Sequence, residues 1–425
     1  AGGRLAAGHG RQRQYAHLAL DRRIGLRLQL IPCKAPVDHC HQIAGLEGVD
    51  HIGWPHLTNV LLHHATIYER QPHFQPFLGC GLVQRHATSS VVEFLALTPV
   101  RLEESAHRTF NGSARGGDTT IRNLNLPENQ PAALEIQTRL CDLGLLDPVI
   151  TGSITKPFGP AAKADGDLGV GSMTAIFEFS RLAGIPYFFD GQIRHEWLLA
   201  LQLFSADTHL PVIMTPEPGD SPDVLLAKRI LRYLDSKKYW IARSPNMYNI
   251  VYVEGMNAEG TTFQDAANQW NDRRMIIRIR PGGQPEMVHN FDATTEPGIP
   301  VRSKPHPLGI ARIAFGQYKS WKVGMHKAKQ VALCQAENIR VHRDKDGNGF
   351  RTGDKIFVGN DFGINQHSTT VKTMTVGDWS AGCLVGREWG EHLTFLGTVK
   401  SDVRYTMNPN YRFVSSVIPG DELRS

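Results

Sequence analysis

The sequence predicts an α+β chain of more than one domain, with a small helical module in the middle and a mostly β domain toward the C-terminus. Three observations predict it. The 425 residues are enough for two or three domains that each bury a core of their own. Residues 127–240 place apolar side chains at helical spacing between glycine and proline punctuation. Residues 245–425 instead consist of short runs rich in Val, Ile and aromatic residues, bounded by Gly, Pro, Asn and Asp.

Composition narrows the class. The chain is 41% hydrophobic and 20% charged, and no apolar run approaches the roughly 20 residues a membrane-spanning helix needs. No membrane span is therefore expected. The first residues lack a basic start followed by an apolar stretch, so a signal peptide is expected to be absent or already removed. A formal charge of +5 with no long Lys/Arg run gives no footprint for nucleic acid. The six cysteines stand scattered at 33, 40, 80, 141, 334 and 383, which is not a disulfide framework; most are expected to be reduced and buried.

Residues 1–125 differ from the rest. They hold eleven of the nineteen histidines and a single lysine, Lys34, amid many arginines, with little sustained hydrophobic period. "DHCHQ" at 38–42 and the pair His63 and His64 offer imidazole and thiol groups, but at no recognisable zinc spacing. High Arg, His and Gln without Lys is what GC-rich DNA gives when read in a frame that codes for nothing. The expectation is an atypical segment, disordered or mis-translated.

The helical module is read over 127–188. "PAALEIQTRLCDLGLLDP" places Leu134, Ile136, Leu140, Leu143 and Leu145 on one amphipathic helix, closed by Gly144 and the Asp147-Pro148 pair. "DGDLGVGSMTAIFEFSRLAGI" gives a turn over 165–171 and a second helix from Ser172. Ala175, Ile176, Phe179 and Leu182 share a face of it, and Gly184 is its stop. A helical connector follows over 190–240. Its last helix has Ser221 as cap, Pro222 at the first position and Asp223 in the first turn, after a linker marked by Pro211, Pro216, Pro218 and Gly219.

The β domain, 245–425, is carried by "NIVYVEGM", "RMIIRIR", "IRVHRD", "DKIFVGN" and "RYTMNPNYRFVSSVI". Its chemistry centres on "DFGINQHSTTVKTMTVGDWSAGC", where fifteen residues separate His367 from Cys383. A cysteine becomes a nucleophile when its thiolate is stabilised and when N–H groups await the oxyanion it creates. Gly382 lets the chain turn beside the sulfur, Ser380 can hold that turn or bond the histidine, and His367 follows the strand-like "FGIN". The alternative is a buried thiol with no chemistry.

Two stretches carry a resemblance. The Leu-rich helix followed by Asp165, Gly166, Gly169, Thr174, Ala175, Ile176 and Phe179 resembles the peptidoglycan-binding module of three short helices. His367, a dozen residues, then Ser380-Ala381-Gly382-Cys383 resembles the active-site signature of the L,D-transpeptidases. "WNDRR", "ATTEPG", "ARIAFGQY" and "WKVGMH" are reminiscent of that family's β domain. The resemblance implies that Cys383 attacks a stem-peptide carbonyl with His367 as base and the N–H groups of Gly382 and Cys383 as oxyanion donors. Trp379 and Arg387 would then bind substrate. It implies peptidoglycan stem peptides and glycan as partners, no cofactor, and a place in the cell envelope or periplasm, or release from the cytoplasm if phage-encoded. Ala381 stands where the signature has a second histidine, which leaves open a non-catalytic wall-binding or phage-related structural protein. A wall peptidase using the same dyad is a third reading.

Other polar residues stand at spacings that carry less. "DKDGNGFRTGDK" starts like a calcium loop with Asp344, Asp346 and Asn348, but Lys355 stands at the twelfth position where a bidentate Glu is needed, so a tight turn between strands is expected. Glu254 and Asp272 are candidates to orient His367. His306 and His326 have no partner at ligand spacing and are read as ordinary histidines.

Overall fold

The computed structural model describes residues 119–423 apart from 163, 187–189 and 299–305, together with three short strands further upstream. Those strands, β1 (Tyr15–His17), β2 (Arg27–Leu30) and β3 (Ile43–Glu47), form an antiparallel sheet in the order 1-2-3 within a unit spanning residues 1–78. The other sequence expectations for residues 1–118, including the imidazole and thiol groups at 38–42 and 63–64, lie outside the described residues. All that follows concerns the second unit, residues 79–425.

The helical part begins with β4 (Thr119–Thr120) and a one-turn helix α1 (Ile121–Leu124) capped by the Thr120 side chain. Helix α2 (Gln130–Asp142) buries Ala133, Ile136 and Leu140 and stops where Gly144 takes φ +68. The Leu145 N–H reaches back to the Leu140 carbonyl at 3.0 Å, so the end is a glycine-terminated cap. A short hairpin of β5 (Val149–Thr151) and β6 (Gly159–Ala162) follows. Helix α3 (Val170–Ala183) starts two residues earlier than the sequence suggests and ends on Gly184 at φ +67.

The turn before α3 is locked by a residue the pattern did not mark. Gln137, from the buried face of α2, donates to Asp165 Oδ1 (2.7 Å), the Asp167 carbonyl (2.8 Å) and Ser172 Oγ (3.0 Å), and its Oε1 accepts the Gly166 N–H (2.7 Å). β7 (Gln192–Ile193) pairs with β4, and helices α4 (His195–Leu203) and α5 (Ala206–His209) follow. Trp197 of α4 meets Phe179 edge-on at 5.1 Å in the same apolar cluster as Ile136, Leu140 and Ile176. Burying each such side chain stabilises by roughly 1.5–3 kcal/mol.

Residues 190–240 thus divide between two cores. α4 completes the helical one, whereas helix α6 (Pro222–Ser236), capped by Ser221 Oγ, packs Leu226, Ile230 and Leu231 on the β region.

That region is built on a closed barrel of eight strands: β8 (Asn249–Glu254), β9 (Asp272–Ile279), β10 (Pro285–Thr294), β12 (Gly316–His326), β13 (Gln330–Gln335), β16 (Gln366–Ser368), β17 (Leu384–Gly386) and β18 (Phe413–Pro419). Around the barrel they run 10-17-16-13-12-18-8-9, with β16/β17 and β18/β8 parallel and the rest antiparallel. The unbroken apolar runs of β8 and β9 are explained by cover on both faces. Ile250, Tyr252 and Ile276 join the cluster holding Trp321 and Phe413, while Val251, Val253, Met275 and Ile277 pack beneath α6.

A side sheet of β11 (Ile310–Ile313), β14 (Ile339–Asp344) and β15 (Lys355–Gly359) lies against the Cys383 loop. Two helices interrupt the predicted β pattern. α7 (Trp389–Lys400) buries Phe395, Leu396 and Val399. α8 (Val403–Met407) takes up all of the "RYTM" expected as strand, because Asp402 caps it by accepting the Arg404 N–H at 2.9 Å. Among the described residues no helix is long and apolar enough to cross a membrane.

Candidate active site

His367 is the middle residue of β16 and Cys383 immediately precedes β17. The parallel pairing puts His367 opposite Val385, and the Leu384 N–H donates to the Asn365 carbonyl at 3.0 Å. This brings the cysteine alongside the histidine. Ser380 Oγ donates to the Cys383 carbonyl at 2.9 Å and accepts the Gly382 N–H at 3.1 Å, so Ser380 holds the turn. The Gly382 N–H is therefore already engaged. Gly298, after β10, supports the same loop by donating its N–H to the Ser380 carbonyl at 3.0 Å.

A ring nitrogen of His367, a ring nitrogen of His326 and Cys383 Sγ lie within 4.8 Å of one another. His326 is thus not the isolated histidine the sequence suggested. It ends β12, and the turn at residues 327–329 leading into β13 sets its ring on that of His367, with centroids 4.0 Å apart and planes 12° apart. No spacing along the chain signals this, because barrel closure rather than chain proximity joins β12 to this site.

His367 is 2% exposed. Its Nδ1–H donates to the Ser368 carbonyl at 3.1 Å, and its Nε2 is buried with no hydrogen-bond partner. The group that orients the ring is therefore that carbonyl, not Glu254 or Asp272. Ser368 is itself fixed, its Oγ meeting the carbonyls of Gly386 (2.9 Å) and Glu388 (3.0 Å). Behind it, the buried Arg274 guanidinium lies over the Phe395 ring at 4.4 Å, 3.2 Å from His392 Nδ1. Burial, then His326, lowers the His367 pKa to about 3, so the ring is neutral with a bare Nε2. Burial also pushes the Cys383 thiol up, and its Sγ–H meets the Gly363 carbonyl at 3.4 Å. The resting pair is a neutral thiol beside a neutral base.

The remaining expected residues are placed as follows. Trp379 is half-buried in the 3-10 turn 377–379 ahead of the cysteine. Arg387 follows β17, and its guanidinium is held by Asp292 Oδ2 (3.0 Å) and the Thr373 carbonyl (3.3 Å). A substrate carboxylate would meet a guanidinium already partly neutralised. Glu254 and Asp272 join a buried cluster with Asp265 and Glu296. There Arg312 lies 3.0 Å from Glu254 and 3.3 Å from Glu296, and Arg351 lies 2.6 Å from Glu254.

The segment lies between two strands, as expected, but Asp344 ends β14 and Asp346 and Asn348 sit in the connection 345–354 to β15, which is longer than a tight turn. Asp344 accepts the N–H groups of Gly347 (2.7 Å) and Gly349 (2.9 Å), and Asn348 Oδ1 that of Phe350 (2.7 Å). Asp354, one position before Lys355, supplies the carboxylate missing from the twelfth position. Its oxygen lies within 4.8 Å of those of Asp344 and Asp346, and burial and these neighbours raise its pKa to about 6. A carboxylate set of this kind suits a hard divalent cation. Compared with protein-family models, characterised proteins and solved structures, the chain matches none.

Proposed function

We propose that the chain is a peptidoglycan-acting cysteine enzyme in which Cys383 performs L,D-transpeptidase-like acyl transfer on stem peptides. The observation that carries this reading is the Cys383–His367 pair, a ring nitrogen of His367 lying within 4.8 Å of Sγ, with Nδ1 engaged by the Ser368 carbonyl and Nε2 buried and bare. Because both groups rest neutral, proton transfer accompanies attack. The Cys383 proton passes to His367 Nε2 as the C–S bond to the stem-peptide carbonyl forms. Collapse of the tetrahedral intermediate breaks the C–N bond, and His367 returns the proton to the departing D-alanine nitrogen. An amine of a second stem peptide then takes the acyl group, or water does so in a wall peptidase. No cofactor enters these steps. The helical part, with its Asp-Gly turn locked by Gln137, is the proposed wall-binding element.

A second reading, a wall-binding or phage-related protein without catalysis, draws on the raised thiol pKa, which disfavours the thiolate. Intact-mass spectrometry after incubation with a tetrapeptide muropeptide or a carbapenem separates the two. A covalent adduct on Cys383, absent in Cys383→Ala while binding to sacculi persists, is the expected result. No adduct, with Cys383 also inert toward a small alkylating agent, would leave only the binding reading.

A further inference from the structure

The two stacked imidazoles beside Cys383 are held in opposite tautomers. Asn365 Oδ1 accepts the Gln335 N–H at 2.8 Å, which fixes the orientation of the amide, because a flip would set NH₂ against N–H. Asn365 Nδ2 therefore faces His326 Nδ1, 2.9 Å away, as a donor. Neutral His326 thus accepts at Nδ1 and carries its proton on Nε2. His367 is the reverse, with its proton on Nδ1 toward the Ser368 carbonyl and a bare Nε2. One ring thus carries an N–H and the other a bare nitrogen, and a ring nitrogen of each lies within 4.8 Å of the third member of the cluster, the sulfur. A half-buried thiol whose surroundings push its pKa up needs such a donor to become a thiolate, since desolvation opposes the charge.

We propose that His326 is the second functional imidazole of the centre, donating its Nε2–H to the Cys383 sulfur as His367 removes the thiol proton. The inference rests on Cys383 being a nucleophile, not on what it acylates. The other titratable groups acting on the cluster are Lys327 at the β12–β13 turn, Cys334 on β13, and His392 of α7 with Arg274 behind it. Among these, Lys327 also favours the thiolate electrostatically, but a point charge does not require a donor at the position of a ring nitrogen.

The test is the pH dependence of Cys383 alkylation by iodoacetamide in the full chain. It is read on the Cys383 peptide, with a chelator present so that no metal masks the sulfur. His326→Phe keeps the stack and removes the donor; His326→Gln returns an amide N–H near the Nε2 position. A hydrogen bond to a charged sulfur predicts that Phe slows alkylation at neutral pH about 10- to 100-fold and moves the profile up by about one to two pH units. Gln should restore most of that loss. Wild-type reactivity in His326→Phe, or equal losses in Phe and Gln, would overturn the proposal. If only the Gln variant folds, a wild-type profile supports the donor and a profile shifted as far as predicted for Phe refutes it. The predicted losses together with no adduct from a stem peptide would keep the donor and remove the peptidoglycan substrate.

Discussion

Gly382 has φ +117, a region L side chains rarely adopt, and a Cβ there would lie 2.2 Å from the Ala311 carbonyl of β11. The loop that presents the thiol is therefore wedged against the side sheet, with Ser380 Oγ fastening both its Gly382 N–H and its Cys383 carbonyl. Gly382→Ala must move the loop, at a cost of the order of 1–3 kcal/mol. Its expected signature is a lowered melting temperature together with a changed alkylation rate at Cys383. A variant that melts and reacts like wild type would show that the φ is not needed. At this scale the sequence was informative where chemistry is local. The Gly before the cysteine, the Ser that pins the turn and the upstream histidine could all be named from one stretch of chain. His326 and Asn365 could not, because their roles arise from the pairing of β12, β13 and β16, which no spacing encodes.

Among the elements, near the ends of β8, β9 and β10, Glu254, Asp265, Asp272 and Glu296 crowd together, and among the described residues Arg312 and Arg351 pair with Glu254, Asp265 and Glu296. Burial of Glu254 is outweighed by Arg351 and Arg312, which bring it down to about 2. Burial raises Glu296 to about 7, with Asp265 and Glu254 adding to the rise and Arg312 opposing it. Glu296 in the folded chain thus binds its proton more tightly than when unfolded. Its stabilising contribution is complete below about pH 4.5 and is lost as pH rises toward 7, at up to about 1.4 kcal/mol per pH unit. Glu296→Gln removes that linkage, so wild type should lose stability relative to the variant between pH 5 and 7, measured by urea denaturation at each pH. A constant difference across the window would mean Glu296 does not titrate there. The helices upstream of the barrel, α2 and α3 with their stop glycines and α6 with its capping serine, are legible in the sequence. Helix α7 is not, since "WGEHLTFLGTVK" mixes β-branched and glycine positions and is helical because Phe395, Leu396 and Val399 find the barrel core.

For the second unit as a whole, the question is what joins helical part to barrel, and Asp147 stands at that junction. It follows α2, yet its Oδ1 accepts from Arg404 (3.1 Å) and the Tyr411 hydroxyl (2.9 Å), while Lys319 of β12 pairs with Oδ2 at 2.7 Å. Burial alone would raise this carboxyl, but Lys319 and Arg404 outweigh it and hold the pKa below the ordinary value. Around it, Glu178 of α3 accepts from Ser244 Oγ and Asn246 Nδ2 at the approach to β8, and the Phe158 ring lies 5.0 Å from that of Tyr318. None of this is visible in the sequence, where Asp147 stands only as half of a helix-stop dipeptide and its partners lie up to 264 residues away. Contacts this dense predict that the helical part and the barrel unfold together. Asp147→Asn leaves Lys319 facing a neutral amide and Arg404 with Asp402 as its remaining carboxylate partner, a loss of up to about 3 kcal/mol, the lower end for a broken buried pair. The wild-type advantage should be present above about pH 4 and fade as acid protonates Asp147, because its folded pKa is depressed. Far-ultraviolet circular dichroism, which follows the helices, and tryptophan fluorescence, which includes Trp321 of the barrel, should give coincident melts in wild type. An Asp147→Asn variant as stable as wild type, or melts that already separate in wild type, would show that the helical part is only tethered to the barrel.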